Sequence, residues 1–276
     1  MTLEKINLKE LIKSILFLFL ILIKAEILSA LISVPFYLIG DQVLVQRFGL
    51  SNIDTLLEMF YSCLTQVLSI FFFYKIYKNK GFNLIKSKEN LNLKTLGEFS
   101  IITIGAIIFD YLWISLVTFL STYSSFFKNN LIELNNSMSI LDENFLFALI
   151  SAVILAPLME ELIFRGIIFN EAEKYKKGAF PIIVSAILFG LLHINPLHIV
   201  AASFSGIILG IVYSKTRSLK ITIFMHALNN LLSCFPESFD TAILILSVIC
   251  FIPMIYFLIK LYKPKNTSKV QSSTTL

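Results

Sequence analysis

The sequence predicts an all-α, polytopic membrane protein with about eight transmembrane helices. Of its 276 residues, 57% are hydrophobic and only 15% are charged, which is outside the range of ordinary soluble domains. Between short charged clusters, apolar runs reach or approach the ~20 residues that cross ~30 Å of hydrocarbon. The runs show no period-two alternation, and only helices and closed barrels satisfy the backbone in lipid. We therefore expect every span to be a helix.

Eight apolar segments are the predicted spans. The first is far longer than the apolar core of a signal peptide, which indicates a retained anchor. The fifth and sixth are short, and we expect the turn between them to be partly embedded. The segments lie near residues 11–38, 55–77, 99–121, 144–168, 179–194, 197–214, 219–235 and 240–261.

The spans divide the chain into four parts. Residues 1–143 form an amino-terminal region of three spans, and residues 144–236 form a core of spans four to seven. Residues 237–264 provide the eighth span. Residues 265–276 are rich in Ser and Thr, which predicts a disordered cytoplasmic tail.

The distribution of Lys and Arg predicts the orientation. Of 23 such residues, 20 fall in the two termini and in the loops that follow spans two, four and six. The opposite loops contain only Arg47 and Lys128, and Lys24 lies within span one. By the positive-inside rule we expect a cell-membrane protein with both termini cytoplasmic, which requires an even number of spans. No nucleic-acid partner is expected, because the lysines lie at the ends of apolar segments and form no single basic face.

Polar and ionisable side chains are concentrated in spans four to seven. Such groups are costly inside a membrane and are functional candidates for that reason. They are Glu160, Glu161 and Arg165 in span four, His193 in span five, and His226 and Asn230 in span seven.

The spacing of these residues predicts their chemistry. Glu161 and Arg165 share a helix face in the favourable order, so we expect a salt bridge between them. Glu160 points about 100° away. A desolvated carboxylate is a stronger base, suited to taking a proton from water, while imidazoles and a carboxamide can stabilise an oxyanion. The alternative is a structural ion cluster with two helix-packing histidines.

Helix lengths predict a mismatch in depth among these groups. At 1.5 Å per residue, Glu160 and His226 lie about 10 Å from the cytoplasmic edge, and His193 lies about 20 Å from it. The three converge only if the helices tilt strongly or the start of span five, near 178–181, protrudes into the cytoplasm.

Three motifs here resemble those of the CPBP/Abi family of intramembrane proteases, which includes CaaX proteases and bacteriocin-processing enzymes. The family pattern is Glu-Glu-x-x-x-Arg, then Phe-x-x-x-His, then His-x-x-x-Asn on successive membrane helices. The resemblance covers roughly residues 145–235 and implies a mainly eight-helix fold, with spans four to seven as the catalytic core around a cytoplasm-facing cavity. The motifs read Glu160-Glu161…Arg165, Phe189…His193 and His226…Asn230.

The resemblance also implies a role for each residue. Glu160 and His193 would activate the water, and His226 with Asn230 would bind the oxyanion. The supporting residues would be Glu161, Arg165 and Phe189.

A zinc ion is an open alternative to a metal-free glutamate mechanism. The family is usually labelled metalloprotease, and Glu160, His193 and His226 could supply the three ligands of a catalytic zinc. The sequence lacks His-Glu-x-x-His, which excludes a zincin-type helix.

The resemblance implies an intramembrane endopeptidase of CaaX type that cleaves a membrane peptide or protein at the cytoplasmic surface. Richness in Lys, Asn, Ile and Phe indicates an AT-rich, bacterial genome. A bacteriocin, a pheromone precursor or another small membrane peptide is then the expected substrate, and bacteriocin immunity a candidate role.

Two other functions were weighed against the protease. One is a non-catalytic membrane partner of a sensor kinase or toxin, which would not need the complete motif set. The other is a small transporter using Asp110 or Glu160 as an ion site, against which the lack of internal repeats weighs.

Overall fold

The protein is helical throughout the described part of the chain, which confirms the all-α prediction. A computed structural model describes residues 53–81, 92–143 and 145–263, with scattered positions between 13 and 38. A short 3₁₀ turn, Glu237–Phe239, precedes the last helix. From residue 53 onward the helices are α1 (Ile53–Asn79), α2 (Leu93–Ser121), α3 (Ser125–Glu143), α4 (Phe145–Tyr175), α5 (Ala179–Leu191), α6 (Pro196–Thr216), α7 (Leu219–Ser233) and α8 (Asp240–Tyr262).

Four of these helices, α2, α4, α6 and α8, are long and apolar enough to cross a membrane. The protein is therefore a multi-pass membrane protein, while the count of eight spans stays a prediction. Helices α5 and α7 have 13 and 15 residues, or about 20 and 22 Å, which is shorter than the hydrocarbon layer. The predicted first span is described only at scattered positions, and the predicted tail lies outside the described residues.

Helix α3 was not among the predicted elements, and Lys128 was assigned to a loop. The helix is rich in Asn and Ser and is not apolar enough to be found as a span. Its Asn130 carbonyl accepts a hydrogen bond of 3.0 Å from the Asn195 side chain. Helix α3 therefore packs against the turn that follows His193.

Helix α4 is not a regular α-helix. It contains two π-helical stretches, Leu149–Leu155 and Leu162–Phe169, on either side of the α-helical turn that carries both glutamates. Pro157 has no N–H with which to continue a regular ladder into the first stretch. Stretches of this kind are rare and frequently lie at functional sites.

The hairpin of α4 and α5 removes the expected mismatch in depth. Helix α4 does not end near 168 but continues to Tyr175, and the turn closes at Gly178 with φ of 85°. Positions 165 and 189 are each about twelve residues from the middle of this turn, so they lie at equal height. The Arg165 guanidinium accordingly lies 5.0 Å from the centre of the Phe189 ring. The same register places His193 opposite Glu161.

Helices α5 and α6 approach closely through small residues. A Cβ added at Gly206 would lie 3.0 Å from the Ala186 Cα, and one at Gly210 would lie 3.1 Å from the Ile182 Cγ2. The small-x-x-x-small spacing of Gly206 and Gly210 is typical of such close helix packing.

An ion pair ties the start of α7 to the end of α4. Arg217, in the turn between α6 and α7, makes a two-pronged contact with the Glu173 carboxylate, with Nη1 2.7 Å from Oε2. These hydrogen bonds raise the pKa of Arg217. The helix that carries His226 is thereby fixed relative to the helix that carries Glu160.

Candidate active site

A fully buried ion pair lies at the centre of the site. The side chains of Glu161 and Arg165 are both 0% exposed, and Nη1 of the arginine donates to Oε1 of the glutamate over 2.7 Å. The arginine also donates from Nη2 to the Gly206 carbonyl on α6, over 3.0 Å. The salt bridge predicted from the spacing is therefore present.

The burial of Arg165 corrects the place given to this residue in the topology prediction. Arg165 was counted among the residues of a cytoplasmic loop, but it lies inside the helix bundle. Without it, 19 of the other 22 Lys and Arg residues still fall on the predicted cytoplasmic side. The distribution of Lys and Arg therefore still predicts the same orientation.

His226 contacts both glutamates. Its Nδ1 lies 3.1 Å from Oε1 of Glu161, the same oxygen that pairs with Arg165. Because a carboxylate oxygen only accepts, Nδ1 must be the protonated nitrogen. The other ring nitrogen, Nε2, lies 3.7 Å from Oε2 of Glu160. The imidazole therefore bridges the two carboxylates.

The two adjacent glutamates differ in environment. The Glu160 side chain is 16% exposed, whereas that of Glu161 is 0% exposed. Glu160 has no Arg partner of its own, but it interacts electrostatically with His226, His193 and Arg165. Glu161 is thus enclosed in the helix bundle, and Glu160 is the more accessible of the two.

Phe189 organises the two histidines. Its ring packs edge-on against His193 and His226, at centroid distances of 5.2 and 5.4 Å. The Phe189 carbonyl lies 3.2 Å from Nδ1 of His193 and can only accept, so this nitrogen also carries a proton. The structure therefore brings His193 and His226 around one aromatic ring, with Glu160 beside His226.

Asn230 has a different partner. Its Nδ2 donates to the Ala152 carbonyl, in the first π-helical stretch of α4, over 2.7 Å. The neighbouring Ser151 hydroxyl accepts from Gln66 of α1 over 2.8 Å. A carboxamide has two N–H groups, so the bond to Ala152 leaves one for another acceptor.

Sequence reasoning missed several contacts of the site. Thr222 lies beside Glu161, and its place one turn before His226 on the same helix face was a usable signal. The backbone acceptors at Gly206 and Ala152 and the Gln66–Ser151 bond come from distant segments. No spacing rule within one helix reveals them.

The geometry does not form a metal centre. Within the described part of the chain, no three His, Cys, Asp or Glu side chains are grouped so that they could hold a metal ion. Both Nδ1 atoms are already hydrogen-bonded to oxygen, to Phe189 in one case and Glu161 in the other. We assign no step to a metal, and zinc binding by Glu160, His193 and His226 stays a prediction.

Comparison with known families agrees with the motifs. Residues 142–232 match the model of a family described as type II CAAX prenyl endopeptidase Rce1-like. This segment contains every residue of the three motifs. The matched segment is similar to CAAX proteases of this family, and it covers α4 to α7, which are the helices that form the site.

One curated relative is also a membrane peptidase by name. The chain is 29% identical over 100 residues to a Bacillus subtilis protein named "Putative membrane peptidase YdiL". The match covers 36% of this chain and 41% of the relative, so the chain spans about two fifths of the relative's length. No solved structure matches the chain.

Proposed function

We propose that the protein is an intramembrane endopeptidase in which Glu160 activates a water molecule to hydrolyse a peptide bond. The observation that carries this proposal is the shared oxygen of Glu161. By pairing with Arg165 and His226 together, it fixes the imidazole with Nε2 directed at Glu160. A purely structural ion pair has no need of a second, less buried carboxylate at that position.

The contacts of the cluster suggest a role for each nitrogen of His226. Nδ1–H is donated to Oε1 of Glu161, and Nε2 lies beside Glu160. In the proposed mechanism the doubly protonated imidazole binds the oxyanion, because only that form has a charged Nε2–H donor beside Glu160.

His193 complements this donor as an acceptor. Because its Nδ1–H is bound to the Phe189 carbonyl, the neutral imidazole has its lone pair on Nε2. That nitrogen can accept a hydrogen bond from water and orient it. Glu160, the more accessible of the two glutamates, takes the proton.

The reaction then follows in two steps. The water oxygen attacks the scissile carbonyl carbon as one water proton passes to Glu160, and His226 Nε2–H and the second N–H of Asn230 stabilise the oxyanion. Collapse of this intermediate breaks the carbon–nitrogen bond. The proton on Glu160 passes to the leaving amine, which regenerates the carboxylate.

The substrate class follows from the location of the site. Its residues lie on membrane helices, so we propose a membrane peptide or protein, presented from the cytoplasmic side that the Lys and Arg distribution indicates. The matched family is described by its action on CAAX prenyl proteins. A non-prenylated bacterial peptide, as in bacteriocin processing or immunity, is the alternative substrate.

A cleavage assay in labelled water tests this function. The purified chain is incubated in ¹⁸O-water with synthetic peptides, each with one apolar span and a short polar end, with and without a farnesylated CaaX terminus. Hydrolysis predicts one ¹⁸O atom in the new carboxylate, read by mass spectrometry. If the folded protein cleaves no peptide of either set, the protease proposal is contradicted and a non-catalytic membrane partner takes its place.

A further inference from the structure

A second polar feature lies away from the candidate active site, in a cavity between α2, α7 and α8. The cavity has a volume of about 270 Å³. Its walls are largely apolar, formed among others by Ile107, Leu232 and Ile243. None of the seven motif residues lines it, so it is distinct from the catalytic cluster.

A carboxylate without a partner faces this cavity. Asp110 lies in the apolar helix α2 and is mostly removed from solvent. Among the residues the structure describes, none forms a hydrogen bond or ion pair with its side chain. Intramembrane carboxylates are costly unless paired, and they mark functional positions for that reason. Within the described ranges, the protein itself therefore supplies no cation to Asp110.

A second carboxylate lines the mouth of the cavity. Asp240, at the start of α8, is exposed and lines the same cavity. The Tyr111 hydroxyl donates to the Asp240 backbone carbonyl over 3.0 Å, which ties α2 to the beginning of α8. Two carboxylates, one at the mouth and one inside, give the entry path a negative potential.

The shape and lining together define a ligand class. A bare metal ion would need several oxygen ligands around it. Besides the two carboxylates, the lining side chains offer only the hydroxyls of Tyr111 and Ser233, which both donate to backbone carbonyls. An organic ammonium ion instead pairs its charge with a carboxylate and buries its hydrocarbon against the walls. We propose that this cavity binds an amine with an apolar body, with Asp110 as the counter-ion and Asp240 as the entry charge.

Thermal unfolding of the purified full chain in detergent tests this binding. The probe is n-butylammonium chloride, compared with equal concentrations of butan-1-ol and of sodium chloride. We expect Tm to rise with butylammonium concentration for the wild type, and not with either control. Asp110→Asn should abolish the rise, and Asp240→Asn should weaken it.

The matched control is Glu133→Gln, because Glu133 is an exposed carboxylate on α3 outside the cavity. The Glu133→Gln variant should show the same rise in Tm as the wild type. Asp110→Asn should fold, because it removes a charge without a partner, and its unliganded Tm shows this directly. Absence of a rise in the wild type would overturn the proposal, as would a rise that Asp110→Asn retains or that butan-1-ol reproduces.

Two further experiments identify the source of the amine and test whether its binding is independent of proteolysis. The rise in Tm with butylammonium is then measured in bilayer nanodiscs of phosphatidylethanolamine and of phosphatidylglycerol. A smaller rise in phosphatidylethanolamine identifies a lipid amine as the occupant, and equal rises identify a free amine. Glu160→Gln should leave the butylammonium effect unchanged. The binding of the amine would then be shown not to depend on peptidase function.

Discussion

Glu161 and His226 are joined by a contact of 3.1 Å between a carboxylate oxygen and Nδ1, across 65 positions of sequence. The same oxygen binds Arg165 one turn further along its own helix. One buried carboxylate thus orients a cation on its own helix and an imidazole on another. The proposed chemistry depends on this arrangement, because it directs Nε2 of His226 at Glu160.

The buried ion pair predicts a strong coupling in stability. Arg165→Met leaves Glu161 without its arginine and should cost about 3–5 kcal/mol, because a buried charge loses its partner. Glu161→Gln should also destabilise the protein. The double variant should be more stable than the sum of the two single changes predicts. Denaturant unfolding of all four forms in one detergent measures the coupling, and strictly additive losses would show that the two side chains do not stabilise each other.

Asn230 and Gln66 provide a matched pair of changes. Both donate to the first π-helical stretch of α4, to Ala152 and Ser151. Each replacement, Asn230→Ala or Gln66→Leu, should cost about 1 kcal/mol of stability. Asn230→Ala should also lower kcat by about 10²–10³-fold, because it removes an oxyanion donor. Steady-state kinetics with equal kcat losses for the two variants would assign Asn230 a structural role only.

Close packing of α6 on α5 should be needed for activity. In Gly206→Ala the new methyl group would lie 3.0 Å from the Ala186 Cα, so α5 must shift by a few tenths of an ångström, and His193 follows directly after α5. We expect a loss of turnover below the ~10²-fold that a displacement of about 1 Å causes. The control is Gly97→Ala on α2, where no atom lies within 4 Å of the added Cβ. If the two alanine variants have equal activity, the packing does not position His193.

The predicted orientation is open to cysteine labelling. In a background without Cys63, Cys234 and Cys250, a membrane-impermeant maleimide should label Lys128→Cys in intact cells. Cysteines at Lys5, Lys86 and Lys269 should react only after permeabilisation. Labelling of Lys5 and Lys269 from opposite sides would contradict the even number of spans.

The sequence predicted what depends on local spacing and on composition. Apolar runs showed that the chain is helical and membrane-embedded, and the four-residue spacing of Glu161 and Arg165 predicted their salt bridge. The motif order marked the helices that form the site. These features depend on short stretches of chain, in which periodicity and spacing determine the geometry.

Other features depend on tertiary contacts that no local pattern contains. Helix α3 was missed because an Asn-rich helix has no apolar run, although it packs on the turn after His193. Arg165 was counted with the cytoplasmic charges because its burial inside the bundle depends on neighbouring helices. The depth of His193 was misjudged, since the continuation of α4 to Tyr175 sets the hairpin register.

The most direct test of the account is the single-turnover cleavage rate of Glu160→Gln on a peptide that the wild type cleaves. The amide keeps the shape of the side chain but cannot take the proton from water. We predict a rate at least ~10²-fold below wild type, with unchanged peptide binding and Tm, while Glu133→Gln cleaves at the wild-type rate. A Glu160→Gln rate within a few-fold of wild type would contradict the account, because water activation would then not depend on this carboxylate.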